Sequence, residues 1–107
     1  MQLKVTRDQE KKGWMLGKTV YTLNMRVEFS EEERAAINAK DLGSWTLFEH
    51  EKKRVTVKGL KDGQHFESDD LAFITDVEAK IREGCKSLKG HIQVSNAFDG
   101  SAEVEDI

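Results

Sequence analysis

The chain has 107 residues, 35% of them charged and 37% hydrophobic, with 17 Lys and Arg against 20 Asp and Glu. This length predicts one domain with a modest core. The longest apolar run, residues 71–74, is far shorter than the ~18 residues of a membrane span, and residues 1–12 lack the apolar segment of a signal peptide. We therefore expect a soluble protein with no membrane partner. A lone cysteine, Cys85, cannot form an internal disulfide, which favours a cytoplasmic location.

Charge is distributed unevenly along the chain. Residues 1–61 carry 13 basic and 9 acidic side chains, residues 62–98 carry 4 and 7, and residues 99–107 carry none and 4. In this last segment, Gly100 and Ser101 follow Asp99. We therefore predict a single domain over residues 1–98 and an acidic, disordered tail over residues 99–107.

Alternating hydrophobicity predicts the first two strands. Residues 20–29 alternate apolar and polar side chains without exception from Tyr21 to Phe29. This pattern is typical of an antiparallel strand with one buried and one solvated face. Residues 2–6 alternate in the same way, with Leu3 and Val5 apolar, and predict a hairpin partner for the long strand.

Capping and turn residues predict the middle of the chain. Ser30 and Glu33 have the spacing of a capping box and predict a short helix over about residues 31–41. Two strands are predicted at residues 44–49 and 54–60. Asp62 and Gly63 form a preferred pair for a two-residue hairpin turn, which would pair residues 54–60 with a strand beginning at Gln64.

From Asp69 onward the apolar spacing becomes helical and predicts a long helix that ends near Gly90. The stripe consists of Leu71, Ile74, Val77, Ile81, Cys85 and Leu88. Residues 91–94 alternate briefly and could add a short last strand. The predicted fold is therefore α+β in the order β-β-α-β-β-β-α, with an antiparallel sheet of four to six strands and both helices on one face.

Few residues in the sequence suggest catalysis. Cys85 lies on the apolar stripe, where a thiol is typical of packing, and no catalytic residue, metal ligand set or cofactor is predicted. His65 and Glu67, two apart on a predicted strand, are the best candidates for a metal-dependent enzyme. An exposed polar surface explains them more simply, so a small non-enzymatic protein-binding or regulatory domain is favoured, with a metal-dependent enzyme as the third hypothesis.

Two segments suggest binding. Trp14, Met15 and Leu16 are large apolar residues between two glycines in the predicted connection of the first hairpin, where polar residues are expected. They predict a contact with a protein partner or with a second copy in a homodimer. Alternatively, the segment is the start of the second strand or folds back to close one end of the core. The alternative function is nucleic-acid binding by a basic hairpin over residues 52–61, whose candidate residues are Lys52, Lys53, Arg54, Lys58 and Lys61.

Overall fold

The structure, a computed structural model, describes residues 1–13 and 17–106. Five strands, three α-helices and one 3₁₀ turn follow each other along these residues. They are β1 (Gln2–Lys12), β2 (Lys18–Glu28), α1 (Glu31–Ala39), the 3₁₀ turn (Leu42–Ser44), β3 (Thr46–His50), β4 (Lys53–Thr56), α2 (Val57–Asp62), β5 (Gln64–Ser68) and α3 (Leu71–Ala97).

The strands form two antiparallel sheets. One has three strands in the order β1-β2-β5, and the other is the β3–β4 hairpin. The predicted α+β class, the antiparallel pairing and the long last helix are confirmed. The five strands fall within the predicted range of four to six but are divided between two sheets.

One apolar core joins both sheets to α3. The alternating residues of β2 point into it as predicted, since Leu23, Met25 and Val27 are buried while Asn24 and Arg26 between them are exposed. The stripe of α3 is buried from Ile74 onward and packs against β2, β3 and β5, with these members: Ile74, Val77, Ile81, Cys85, Leu88 and Ile92. Burial of such side chains is the main favourable term in folding.

The predicted capping box of α1 is confirmed. The Ser30 hydroxyl accepts a hydrogen bond from the Glu33 amide at 3.2 Å, and the Glu33 carboxylate accepts one from the Ser30 amide at 2.9 Å. Glu33 also contacts the amino group of Met1 at 2.7 Å. The start of α1 is thereby fixed to the start of β1, and α1 ends two residues before the predicted boundary.

The predicted strand over residues 54–60 is wrong in its second half. The strand ends at Thr56, which is the N-cap of the helix α2. Its side chain accepts a hydrogen bond from the Gly59 amide at 3.0 Å. Val57 and Leu60 are then one helical turn apart, and both are buried. Because this turn of helix redirects the chain, β5 pairs with β2, and Gly63 (φ +106°) is the end of a helix rather than part of a two-residue hairpin turn.

The predicted end of the long helix is also wrong. The helix α3 continues through Gly90 to Ala97, so residues 91–94 are helical and form no strand. Ile92 continues the buried stripe. The rings of Trp45 and His91 pack together with their centres 4.5 Å apart. These tertiary contacts outweigh the low helix propensity of glycine. At the other end of the stripe, Leu71 is 52% exposed and lies outside the core.

The segment after α3 contains no helix or strand over residues 98–106, and its apolar Val104 is 94% exposed. Its disorder stays a prediction, as does the domain boundary at residue 98. Over the part of the chain that the structure describes, no helix is both long and apolar enough to cross a membrane.

The helix α3 approaches the backbone of β3 closely at Gly84. A Cβ atom placed on this residue would lie 2.2 Å from the Leu47 carbonyl oxygen of β3. Such a distance is far inside van der Waals contact, so only glycine lets the helix and strand pack this closely. Gly90, six residues later on the same helix, would have no atom within 4 Å of its Cβ apart from its neighbours in the helix.

These two glycines provide a matched test of the packing. We expect Gly84→Ala to lower the free energy of unfolding by about 1–3 kcal/mol, because the added methyl group forces strand and helix apart. Gly90→Ala should raise it by about 0.5–1 kcal/mol, because alanine favours the helix and meets no obstacle. Urea unfolding followed by circular dichroism measures both, and equal stability of the two variants would contradict the close contact at Gly84.

Candidate functional site

The β1–β2 hairpin extends beyond the rest of its sheet. The last residue of β5, Ser68, pairs with Tyr21, whereas β1 and β2 stay paired for three more residues, up to Lys12 opposite Lys18. Exposed Gly13 and Gly17 follow, joined by a hydrogen bond from the Gly17 amide to the Gly13 carbonyl at 2.9 Å. We call residues 10–13 and 17–20 the hairpin end. The predicted binding residues Trp14, Met15 and Leu16 lie outside the described residues.

An ion pair connects the middle of this hairpin to α3. Arg7 donates two hydrogen bonds to the Glu78 carboxylate, from Nε at 2.6 Å and from Nη2 at 2.5 Å, and Arg82 donates a third at 3.1 Å. Glu78 is only 17% exposed, and hydrogen bonding from Arg7 lowers its pKa below the ordinary value of 4.5. A bidentate pair of this kind fixes direction as well as distance. The hairpin therefore has a set orientation on the domain.

Two lysines connect the hairpin end to the far end of β5. Lys12 Nζ lies 3.0 Å from Glu67 Oε1, and Lys18 Nζ lies 2.7 Å from Asp69 Oδ2. These hydrogen bonds lower the pKa values of both carboxyl groups. All four side chains are substantially exposed, so each pair contributes little to stability. They mark where the hairpin end lies relative to the end of β5.

The candidate metal ligands His65 and Glu67 lie side by side on the polar face of β5. His65 Nδ1 is 2.8 Å from Asn24 Oδ1, and its Nε2 is 3.7 Å from Glu67 Oε2. Glu67 is already engaged by Lys12. Within residues 1–13 and 17–106, no three His, Cys, Asp or Glu side chains are grouped closely enough to hold a metal ion. Metal-dependent chemistry at this pair therefore gains no support from the described geometry.

The thiol of Cys85 is placed as the sequence predicts. It is 7% exposed within the core, and burial raises its pKa. A thiol of this kind is a poor nucleophile at neutral pH, because the reactive thiolate is disfavoured. Cys85 is therefore a packing residue of α3.

The five candidate nucleic-acid-binding residues do not lie on one hairpin. Lys52 is in the β3–β4 turn and Lys53 and Arg54 begin β4, whereas Lys58 and Lys61 are on α2. The Arg54 guanidinium donates hydrogen bonds to Thr46 Oγ1 at 2.7 Å and to the Ser44 carbonyl at 3.1 Å. The Nζ atom of Lys53 lies 5.2 Å from the centre of the Phe66 ring. Nucleic-acid binding by these five residues stays a prediction, without the continuous basic surface that it assumed.

Lys58 and Lys61 instead join Arg34 around a groove between α1 and α2. The groove has a volume of about 230 Å³, and we call it the basic groove. Among the described residues, none of these three basic side chains lies within 4.0 Å of a carboxylate, although ion pairs occupy many other basic residues. The lining residues of the basic groove are Phe29, Arg34, Ile37, Asn38, Gly43, Val57, Lys58 and Lys61.

The basic groove continues along the end of β2. A neighbouring depression of about 280 Å³ shares Phe29, Arg34 and Lys61 with it and adds Arg26 and Glu28. Glu28 is the acidic residue in this lining, and it is paired with Lys4 at 2.8 Å and with Arg26 at 3.3 Å. The combined surface is therefore apolar at Phe29 and positively charged around it.

Sequence reasoning missed this groove because it assigned residues 57–60 to a strand. The signal that could have revealed it is local: Thr56 is a good helix N-cap, and Lys58 and Lys61 are three residues apart, which places them on one helix face. Their proximity to Arg34 is a tertiary effect that no local pattern contains.

Comparisons of this chain with protein-family models, with curated proteins and with solved structures gave no match. Functional inference therefore depends on the hairpin and the groove themselves.

The ion pair at the base of the hairpin has a pH dependence with a definite sign. The pKa of Glu78 is lowered on folding. Its contribution to stability is therefore complete above about pH 4.5, and it is lost as the pH falls through the pKa of Glu78 in the folded protein. We expect the urea midpoint to decrease from about pH 6 to about pH 3 more steeply in the wild type than in Glu78→Gln. Glu83→Gln, at an exposed position on the same helix, is the control and should retain the wild-type slope. Identical slopes for all three proteins would contradict a stabilising role for the pair.

Proposed function

We propose that this protein is a small non-enzymatic binding domain that contacts a protein partner or a second copy of itself through the turn of the β1–β2 hairpin. The observation that carries the proposal is the projection of this hairpin three residue pairs beyond β5, with exposed Gly13 and Gly17 at its end. In the sequence, these two glycines flank Trp14, Met15 and Leu16. Large apolar and aromatic side chains are the usual anchors of protein interfaces.

Preorganisation of the hairpin supports this proposal. Arg7 connects its middle to Glu78, and Lys12 and Lys18 connect its end to Glu67 and Asp69. A binding element that is already oriented loses less conformational entropy on association than a flexible one. The hairpin is thus suited to present a short segment to a partner.

The free edge of β1 suggests how self-association would proceed. The strand β1 is at the edge of its sheet, and its exposed residues include Lys4, Arg7, Asp8, Glu10 and Lys11. Charged side chains on an edge strand oppose pairing with another strand. Contact through the hairpin turn is therefore favoured over extension of the sheet as the route to a homodimer.

The proposal is tested by replacing two of the apolar residues with serine. We expect Trp14→Ser/Met15→Ser to weaken association at least about tenfold, because the loss of interface anchors costs more than about 1.4 kcal/mol. Size-exclusion chromatography with light scattering measures self-association, and affinity capture followed by titration with the purified partner measures binding to another protein. Circular dichroism should be unchanged.

The matched control is Phe98→Ser/Val104→Ser, which removes two other apolar side chains that are 85% and 94% exposed. This variant should associate like the wild type. If the hairpin variant unfolds, the three residues belong to the core and the proposal is wrong. It is equally wrong if both variants associate as the wild type does.

A further inference from the structure

We infer that the basic groove between α1 and α2 is a docking site for the acidic C-terminal segment of the same chain, residues 103–106. This surface is separate from the hairpin and does not depend on the function proposed for it. The occupant is Glu103-Val104-Glu105-Asp106, which combines three carboxylates with one apolar side chain.

Charge complementarity is the first argument for this occupant. The groove brings Arg34, Lys58 and Lys61 together, and among the described residues none of them has a carboxylate within 4.0 Å. The segment 103–106 has carboxylates and no basic residue, so the two surfaces have opposite charges. Opposite charges steer association and determine which surfaces meet.

The arrangement of apolar and charged groups is the second argument. Half-buried Phe29 and the buried Ile37 and Val57 line the groove together with the basic side chains. Val104 is 94% exposed in a segment that is otherwise acidic. Docking would place its side chain against the apolar part of the groove while the flanking Glu103 and Glu105 face the basic residues.

Reach along the chain is the third argument. The end of α3 lies beside the end of α1, because Lys40 Nζ contacts Asn96 Oδ1 at 3.3 Å. From Lys40 back to Arg34 is about 9 Å along the helix axis. Extended chain from Ala97, the last residue of α3, to Glu103 spans up to about 20 Å, so the segment can reach the groove. Attachment to the same chain gives it a high effective concentration there.

A spin label on the full-length protein tests the proposal. Ala102→Cys places a nitroxide beside the acidic segment, and the buried Cys85 is a poor competitor for the label. We expect loss of amide NMR signal intensity at Asn38, Gly43 and Lys61 in the groove, and none at Glu51 in the β3–β4 turn. Wild-type protein treated with the same reagent controls for labelling elsewhere.

Charge variants in the labelled protein distinguish docking from chance proximity. Lys58→Glu/Lys61→Glu should restore the groove signals, whereas Lys52→Glu/Lys53→Glu, on the other basic segment, should leave the loss unchanged. The tail variant is Glu103→Gln/Glu105→Gln/Asp106→Asn, and it should restore the groove signals equally. Because it alters only exposed residues, it serves as the test if the groove variant fails to fold. Salt near 1 M should also restore them, since it reduces the screening length to about 3 Å.

Three results would overturn the proposal. The first is an absence of signal loss in the groove, and the second is a loss that the tail variant leaves unchanged. The third is signal loss in isotope-labelled wild type mixed with spin-labelled protein, which would mean that the tail binds a second copy. If the labelled wild-type tail causes no signal loss in the groove, a single-stranded oligonucleotide that shifts the groove amides would assign the groove to nucleic acid instead.

Discussion

Contact between the backbone of β3 and the helix α3 at Gly84 is the constraint on which the rest of the structure depends. The two sheets share no strand, and α3 packs against strands of both. A side chain at Gly84 would collide with Leu47 and separate the β3–β4 hairpin from the helix. Since Leu47 and Phe48 of that hairpin are buried in the same core as Leu23 of the first sheet, a single close approach keeps the core continuous.

Elements whose signals are local could be predicted from the sequence. The alternation in β2 and the capping box of α1 both act within a few residues, and the structure contains both. The helix α2 was missed because Asp62 and Gly63 are equally compatible with a hairpin turn and with a helix end, and the Thr56 cap decides between them. The continuation of α3 past Gly90 depends on the burial of Ile92 and the packing of Trp45 on His91, which are tertiary contacts.

The same distinction applies to the functional surfaces. The first hairpin connects residues close in sequence, so the pairing of its two strands could be predicted, although β1 continues to Lys12 instead of ending near Thr6. Its orientation on the domain depends on the distant Glu78. The basic groove combines Arg34 of α1 with Lys58 and Lys61 of α2. Sequence could show that these residues are basic, but only the packing of the two helices brings them together.

The order of strands in the larger sheet has a consequence for how the chain folds. The hairpins β1–β2 and β3–β4 close short loops, whereas β2 and β5 join Met25 to Gln64, which are 39 positions apart. Closing the longer loop costs more chain entropy before any contact compensates for it. Because α2 leads directly into β5, its formation orients that strand toward β2. We therefore expect the three-stranded sheet to be completed late in folding, after the local hairpins have formed.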